Sequence, residues 1–132
     1  MILGITGRIA SGKSTLSHAV VAELERRGRT AQAIDLDIVP RSEAEVVART
    51  LPVDVVVIDG DPPLPADRFV TVVASFEAAV RRVAIDPTRT RSKDLVFLRA
   101  HYDEPHEERG LVLDTDVLDV EEAARRAADY AE

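Results

Sequence analysis

Apolar and polar positions alternate along the chain with two different periods, and together they predict an alternation of strands and helices. Short apolar runs bounded by glycine, proline or aspartate are typical of strands, whereas apolar residues three or four positions apart are typical of helices. The clearest strand is the nearly continuous β-branched run from Val53 to Ile58, which is expected of a central parallel strand covered on both faces. The clearest helix carries Leu16, Val20 and Leu24 on one face.

The same patterns, followed to the end of the chain, predict five strands and five helices. The predicted strands are residues 1–5, 30–34, 53–58, 69–74 and 111–113. The predicted helices are residues 14–27, 43–50, 76–86, 93–104 and 120–131. The predicted N-caps are Ser42, Ser75, Ser92 and Asp119, and Gly28 is the predicted C-terminal cap of the first helix. This alternation predicts an α/β fold, with a parallel sheet covered by helices on both faces.

A glycine-rich segment follows the first predicted strand and opens the first predicted helix. It is Gly7-Arg8-Ile9-Ala10-Ser11-Gly12-Lys13-Ser14, with Thr15 next, and it matches the phosphate-binding pattern of glycine, four residues, glycine, lysine and serine or threonine. Glycines let the backbone N–H groups of such a loop converge on phosphate oxygens. Lys13 supplies a cation for the β- and γ-phosphates, and the Ser14 hydroxyl can coordinate Mg²⁺. The segment therefore predicts nucleotide binding by residues 7–15.

Three aspartates follow predicted strands at the edge of the sheet where this loop lies. In open α/β sheets, ligands bind beyond the carboxyl ends of the strands. Asp59 ends the β-branched strand and is the candidate for holding Mg²⁺, directly or through water. Asp35 and Asp37 end the second strand, and either one could orient an acceptor hydroxyl and take its proton. The alternative for each is an ordinary solvated aspartate at a strand end.

An arginine-rich segment lies between the third and fourth predicted helices. Arg89 and Arg91 are candidates for a lid that folds over the nucleotide and neutralises charge in the transition state. The alternative is that they are ordinary exposed arginines. His18, His101 and His106 lack the spacing of metal ligands, and we expect them to be surface residues.

Composition narrows the class of protein and of partner. With 132 residues, the chain is long enough for one domain, residues 1–132. Its net charge of −7 argues against a general nucleic-acid or acidic-membrane surface, and the absence of cysteine excludes thiolate chemistry. No run approaches the ~18 apolar residues of a membrane span, and the N-terminus leads directly into a strand. We therefore expect a cytoplasmic protein without a signal peptide.

The sequence resembles the P-loop kinases of small molecules. Residues 4–15, followed by the Ile34-Asp35-Leu36-Asp37 segment, are similar to dephospho-CoA kinase. Residues 75–82, 86–89, 92–94 and 111–115 resemble the group of chloramphenicol phosphotransferase and adenylylsulfate kinase. The resemblance implies a three-layer P-loop NTPase fold with strand order 2-3-1-4-5 and Mg-ATP as the donor. It also implies an acceptor hydroxyl near Asp35 or Asp37 and lid arginines at Arg89 and Arg91.

Two functions are compatible with these features. The first is an ATP-dependent kinase that phosphorylates a hydroxyl of a small molecule, with Lys13, Asp35, Asp37, Arg89 and Arg91 as its catalytic residues. Adenine is favoured over guanine because the chain contains no asparagine and so lacks the Asn-Lys-x-Asp element of signalling GTPases. The second is a compact nucleotide-binding or regulatory NTPase module without its own acceptor site.

One departure from the kinase pattern favours the second function. Kinases of this type usually place a substantial acceptor-binding insertion between the second and third strands, whereas only about fifteen residues separate Asp37 from Val53. The acceptor pocket is then very small, lost, or completed by another subunit, so a homodimer is compatible with the sequence.

Overall fold

The computed structural model describes residues 1–88 and 94–132, in which strands and helices alternate as expected. The strands are β1 (Ile2–Gly7), β2 (Ala31–Asp35), β3 (Val55–Asp59), β4 (Arg68–Val73) and β5 (Leu111–Asp114). The helices are α1 (Lys13–Arg26), α2 (Arg41–Thr50), α3 (Phe76–Ile85), α4 (Leu95–Asp103) and α5 (Val120–Ala131). Each predicted element is present, with ends that differ by at most two residues.

The five strands form one parallel sheet in the order β2-β3-β1-β4-β5, as the resemblance implied. β3 lies between β1 and β2, and all five of its residues are buried. This burial explains why its sequence is a β-branched run rather than an alternation of apolar and polar residues. The register pairs Asp35 with Asp59 and Ile5 with Asp59, so the carboxyl ends of β2 and β3 lie side by side next to β1.

Helices cover both faces of the sheet at β3, and successive residues of β3 face opposite helices. On one face, Val55 and Val57 pack with residues of α1 and α5. On the other face, Val56 and Ile58 pack with Ala44 and Ala48 of α2. A third cluster joins α3 and α4 to the loop after β1, so these two helices pack against the loop itself. None of the helices in the described parts of the chain is long and apolar enough to cross a membrane.

Three predicted helix ends are confirmed by their hydrogen bonds. The Ser75 hydroxyl accepts from the Ala78 N–H at 3.1 Å, and the Asp119 carboxylate accepts from the Glu122 N–H at 2.8 Å. At the end of α1, the N–H groups of Gly28 and Arg29 donate to carbonyls of the last turn, each at 2.9 Å. This pair of bonds is a Schellman motif, which satisfies carbonyls that the helix itself cannot pair.

Two predicted N-caps are wrong. The N-cap of α2 is Pro40 rather than Ser42, and the helix begins at Arg41. The Pro40 carbonyl accepts the first helical hydrogen bond, from the Ala44 N–H at 2.8 Å. α4 begins at Leu95, and its cap is Asp94, whose carboxylate accepts from the N–H groups of the following turn. Ser92 lies outside the described residues. In both cases a residue two positions from the serine is the cap instead, because a serine only signals that a cap is near.

Candidate active site

The phosphate loop runs from the end of β1 into α1, as its sequence predicted. Gly7 and Gly12 are required for different reasons. A Cβ on Gly7 would lie 2.5 Å from the Val72 carbonyl oxygen and 2.7 Å from the Ser11 hydroxyl, so only glycine fits against β4. Gly12 has space around it, but its φ of 105° belongs to the region that residues with a side chain avoid.

Lys13 is the first residue of α1, and its side chain turns back across the loop. Its Nζ donates to the carbonyl oxygens of Gly7 at 2.7 Å and Arg8 at 2.9 Å. The ammonium group therefore lies at the mouth of the loop, where phosphate oxygens would meet it.

Two strand-end carboxylates lie beside this loop. Asp35 and Asp59 are register partners on β2 and β3, and Asp59 is only 4% exposed. The Asp37 N–H donates to Asp35 Oδ1 at 2.8 Å, which closes a tight turn and keeps Asp37 next to the strand end. The three aspartates line the same cleft as Lys13, so the structure brings these predicted site residues together.

Burial and charge act together on Asp59. Loss of solvent is the main cause, and repulsion by the carboxylate of Asp35 adds to it, so that the pKa of Asp59 is raised to about 7. Asp37 acts in the same direction, while the ammonium group of Lys13 lowers the pKa. The Oδ1 atom of Asp59 is buried without a hydrogen-bond partner. In the protein alone, the negative charge of the Asp59 carboxylate is therefore only partly compensated by positive charge.

The arrangement suits Mg²⁺ bound in the way that nucleotides require. Mg²⁺ usually keeps several waters and uses one or two protein oxygens together with phosphate oxygens. The unpartnered Asp59 Oδ1 and the Ser14 hydroxyl border the same cleft and fit that role. Among residues 1–88 and 94–132, no group of three or more His, Asp or Glu side chains is arranged to hold a metal by itself.

Two residues of the opposite wall hold the loop in place. Arg82 of α3 donates to the Ala10 carbonyl at 2.8 Å and to Thr115 Oγ1 at 3.2 Å. The Thr115 hydroxyl in turn donates to the Ser11 carbonyl at 2.9 Å. Sequence reasoning assigned no role to Thr115. Its position directly after β5, at the same sheet edge as Asp35 and Asp59, is the signal that could have found it.

Helix α4 holds the first half of the loop from outside the cleft. The Ile9 N–H donates to His101 Nε2 at 3.0 Å, and the Tyr102 hydroxyl donates to the Ile9 carbonyl at 2.5 Å. Arg8 donates to the Glu104 carbonyl at 2.6 Å and lies over the Tyr102 ring. Because the N–H and carbonyl groups of Ile9 are both hydrogen-bonded to α4, the shape of the loop depends on this helix.

The expectation that all three histidines lie on the surface is wrong for two of them. His18 is exposed, but His101 is half-buried against the loop. His106 Nε2 lies 3.0 Å from Asp61 Oδ1, and only 13% of its side chain is exposed. The Asp61 carboxylate also accepts from the Thr6 hydroxyl at 2.8 Å. The chain after α4 returns to the carboxyl edge of the sheet, which no local pattern reveals.

The phosphate loop, the three aspartates, Arg82 and Thr115 border a cleft of about 660 Å³. Its walls include Ala10, Gly12, Lys13, Ser14 and Thr15 of the predicted loop, while Arg8 and Ile9 face α4 instead. Apolar side chains also line the cleft; they include Ile85, Pro87, Leu118 and Val120. Arg89 and Arg91 lie outside the described residues, so their role in a lid stays a prediction.

Comparisons with known proteins concern the fold. No protein-family model matches the chain, and no curated protein matches it. Shikimate kinase from Bacteroides thetaiotaomicron matches with a TM-score of 0.68 at 16% identity, over 99% of this chain and 98% of that one. This protein has the fold of the P-loop small-molecule kinases.

Two further kinases of this fold match over most of both chains. The APS kinase of Mycobacterium tuberculosis, in complex with AMPPNP and APS, matches with a TM-score of 0.66 at 21% identity, over 98% of this chain and 96% of that one. A gluconokinase from Sinorhizobium meliloti matches with a TM-score of 0.59 at 17% identity, over 97% and 89% of the two chains. The resemblance to P-loop small-molecule kinases is thus confirmed at the level of the fold.

We expect Asp59 to make the ligand-free protein less stable as the pH rises. The pKa of Asp59 in the folded protein, about 7, lies above the 3.8 of an ordinary aspartate, so its contribution to stability is fully present below pH 3.8 and is lost as the pH rises through 7. As the pH rises from 5 to 8, the unfolding free energy of Asp59→Asn should therefore increase by about 2–3 kcal/mol relative to that of the wild type. Urea unfolding at a series of pH values without Mg²⁺ measures the difference. Parallel curves of unfolding free energy against pH for the two proteins would contradict the prediction.

His101 should have the opposite pH dependence. Burial lowers the pKa of His101 below its usual 6.5, because the charged ring loses solvent. Its contribution to stability is therefore full above pH 6.5 and is lost as the pH falls below that value. We expect the unfolding free energy of the wild type to fall as the pH is lowered from 6.5 to 5, and that of His101→Gln, whose amide oxygen can still accept from the Ile9 N–H, to fall less. Equal losses in both proteins would show that His101 is not responsible.

Proposed function

We propose that this protein transfers the γ-phosphate of Mg-ATP to a hydroxyl group of a small molecule. The observation that carries the proposal is the convergence in one cleft of a phosphate loop, its lysine and carboxylates from two neighbouring strand ends. A phosphate loop alone is compatible with many NTPases. The carboxylates of β2 at the same edge add a group that can accept a proton from an attacking hydroxyl.

The donor half of the cleft suits an adenine nucleotide. Backbone N–H groups of the loop and the Lys13 ammonium would bind the β- and γ-phosphates. The apolar side chains of Ile85, Pro87 and Leu118 would pack against the base. The missing Asn-Lys-x-Asp element argues against guanine, and one structure of the same fold contains AMPPNP.

The transfer step follows from the positions of the charged groups. The acceptor oxygen forms a bond to the γ-phosphorus while the bond to the bridging oxygen of ADP breaks, and the hydroxyl proton passes to Asp35 or Asp37. Lys13 would neutralise charge on the transferring group. Mg²⁺, when held by Ser14 and Asp59, would supply further positive charge to the phosphate oxygens. Arg89 and Arg91 are proposed to close over the nucleotide as lid residues.

The second candidate is a nucleotide-binding or regulatory module without its own acceptor. The short connection between β2 and β3, which contains only the ten-residue helix α2, favours it. The two candidates differ in product. A kinase forms a phosphorylated acceptor, whereas a regulatory NTPase releases inorganic phosphate slowly and phosphorylates no member of a panel of hydroxyl compounds.

Lys13→Ala should weaken the binding of an ATP analogue with Mg²⁺ by at least about 100-fold, because it removes the cation at the mouth of the loop. Isothermal titration calorimetry measures the affinity directly and does not depend on the acceptor. Arg26→Ala, which removes an exposed cation at the far end of the same helix, is the control and should bind normally. An unchanged affinity in Lys13→Ala would contradict the proposed phosphate site.

Asp35→Asn and Asp37→Asn test the proton acceptor. Loss of the base should lower the rate of acceptor phosphorylation by about 10²- to 10⁴-fold, while the affinity for the nucleotide stays within a few-fold of the wild type. Transfer of radiolabelled phosphate to the acceptor is the readout. Retention of full transfer in both variants would exclude both carboxylates as the base.

A further inference from the structure

A second cavity lies beside the candidate active site, along the edge strand β2. Its volume is about 400 Å³, which is within the usual range for pockets that bind small molecules. Residues of α1, β2, α2 and the end of β3 surround it. Asp35 and Asp59 line both this cavity and the nucleotide cleft, whereas Asp37 lines only the cleft. The two cavities therefore meet at the carboxylates of Asp35 and Asp59.

Two polar atoms of the cavity lining are buried without a hydrogen-bond partner. They are the hydroxyl oxygen of Ser17, a residue 1% exposed, and Oδ1 of Asp59, a residue 4% exposed. Buried polar atoms are almost always paired in native proteins, so an unpaired one calls for an explanation. The proposed Mg²⁺ site explains the unpaired oxygen of Asp59. It does not explain Ser17, which lies a full helical turn beyond Lys13. A polar group of a ligand in this cavity would supply it.

Most of the remaining lining is apolar. Val39, Val47 and Leu51 are partly buried and belong to the cluster between α2 and the sheet. Ile38, which is 79% exposed, extends the same surface to the mouth of the cavity. Such walls favour a ligand with an apolar body over one covered by polar groups.

The charged residues where the cavity meets the cleft are both acidic. Asp35 and Asp59 lie there, and no Arg or Lys is among the described residues of the lining. His18 lies at the exposed rim, and the arginines of α2, Arg41 and Arg49, are exposed and line neither cavity. A carboxylate or phosphate on the body of a ligand would find no arginine or lysine in this lining to pair with, so this cavity disfavours anions.

We propose that this second cavity binds the phosphate acceptor, and that the acceptor is an alcohol with an apolar body and no negative charge. The assignment rests on the proposed kinase function. The hydroxyl lies at the shared carboxylates, the body fills the space beside Val47 and Leu51, and a polar group of the ligand pairs with Ser17. Because Asp35 lines both cavities, it is the residue that takes the hydroxyl proton as the new oxygen–phosphorus bond forms and ADP leaves.

A pair of probes of equal shape tests the charge preference. The probes are 4-(hydroxymethyl)benzamide and 4-(hydroxymethyl)benzoate, which differ in little besides the negative charge. Binding is measured by ligand-observed NMR with Mg²⁺ and a non-hydrolysable ATP analogue present. We expect the amide to bind at least ten-fold more tightly than the carboxylate. Equal binding, or tighter binding of the carboxylate, would overturn the proposal.

A cation placed on the cavity wall should reverse this preference. In Val47→Lys the new ammonium group would reach the cavity, so we expect the ratio of the two affinities to shift towards the carboxylate by at least ten-fold. Val46→Lys is the matched control, because Val46 is the preceding residue of the same helix and is 62% exposed. Its ratio should stay within two-fold of the wild type. The same ratio in wild type and Val47→Lys would place the acceptor elsewhere.

Ser17→Ala provides a test that adds no charge to the cavity wall. The variant should fold normally, because the substitution removes a buried hydroxyl that has no hydrogen-bond partner. We expect the KM for the amide probe to rise about three- to ten-fold with kcat nearly unchanged, which a purely structural role of Ser17 would not produce. Unchanged KM would remove Ser17 from the site and overturn the assignment of the cavity.

The two proposals fail in different ways. If the amide probe binds with the expected preference but no phosphate is transferred to it, the cavity is a ligand site and the kinase function is wrong. If phosphate is transferred preferentially to the carboxylate probe, the kinase function stands and the assignment of the cavity falls.

Discussion

The burial of a carboxylate at the end of β3 is the constraint on which the rest of the site depends. β3 is the only described strand whose residues are all buried, and it ends in Asp59 between the ends of β1 and β2. Its charge is costly there, since burial and Asp35 raise its pKa to about 7. Lys13 offsets only part of that cost. The carboxyl edge of the sheet thus has an excess of negative charge that Mg²⁺ can balance.

The phosphate loop is held by contacts from three different elements. Arg82 binds the Ala10 carbonyl, Thr115 binds the Ser11 carbonyl, and His101 with Tyr102 binds both peptide groups of Ile9. Most of these contacts fix carbonyl groups, and so they leave backbone N–H groups of the loop for phosphate. A loop fixed in this way needs little rearrangement when an anion binds, which strengthens its electrostatic effect. The helices α3 and α4 therefore shape the proposed phosphate site as much as α1 does.

Sequence reasoning succeeded where the determining interactions are local or follow from the order of elements. The phosphate loop is recognised because its residue types and spacing are set by the backbone shape it must adopt. Asp35 and Asp59 could be placed together because the carboxyl ends of parallel strands meet at one edge. The exact caps were harder, since Pro40 and Asp94 compete with serines two residues away.

The residues that sequence reasoning missed depend on contacts between distant parts of the chain. His101 meets Ile9 across 92 positions, and Thr115 meets Ser11 across 104. Neither partner has a local pattern that points to the other, and a half-buried histidine looks like an exposed one in a single sequence. Sequence reasoning also could not separate Arg82 from Arg81, because the two residues differ only in the direction that their side chains take from α3.

The short connection between β2 and β3 has a different meaning once the packing of α2 is known. Ala44 and Ala48 are buried and small, so they let the helix lie close to the sheet. The larger Val47 and Leu51 then stand at the side of the helix and form a wall along the edge of β2. A connection too short for a separate acceptor domain can in this way still border a cavity of about 400 Å³. The length of the connection therefore limits the size of a ligand at this edge rather than excluding one.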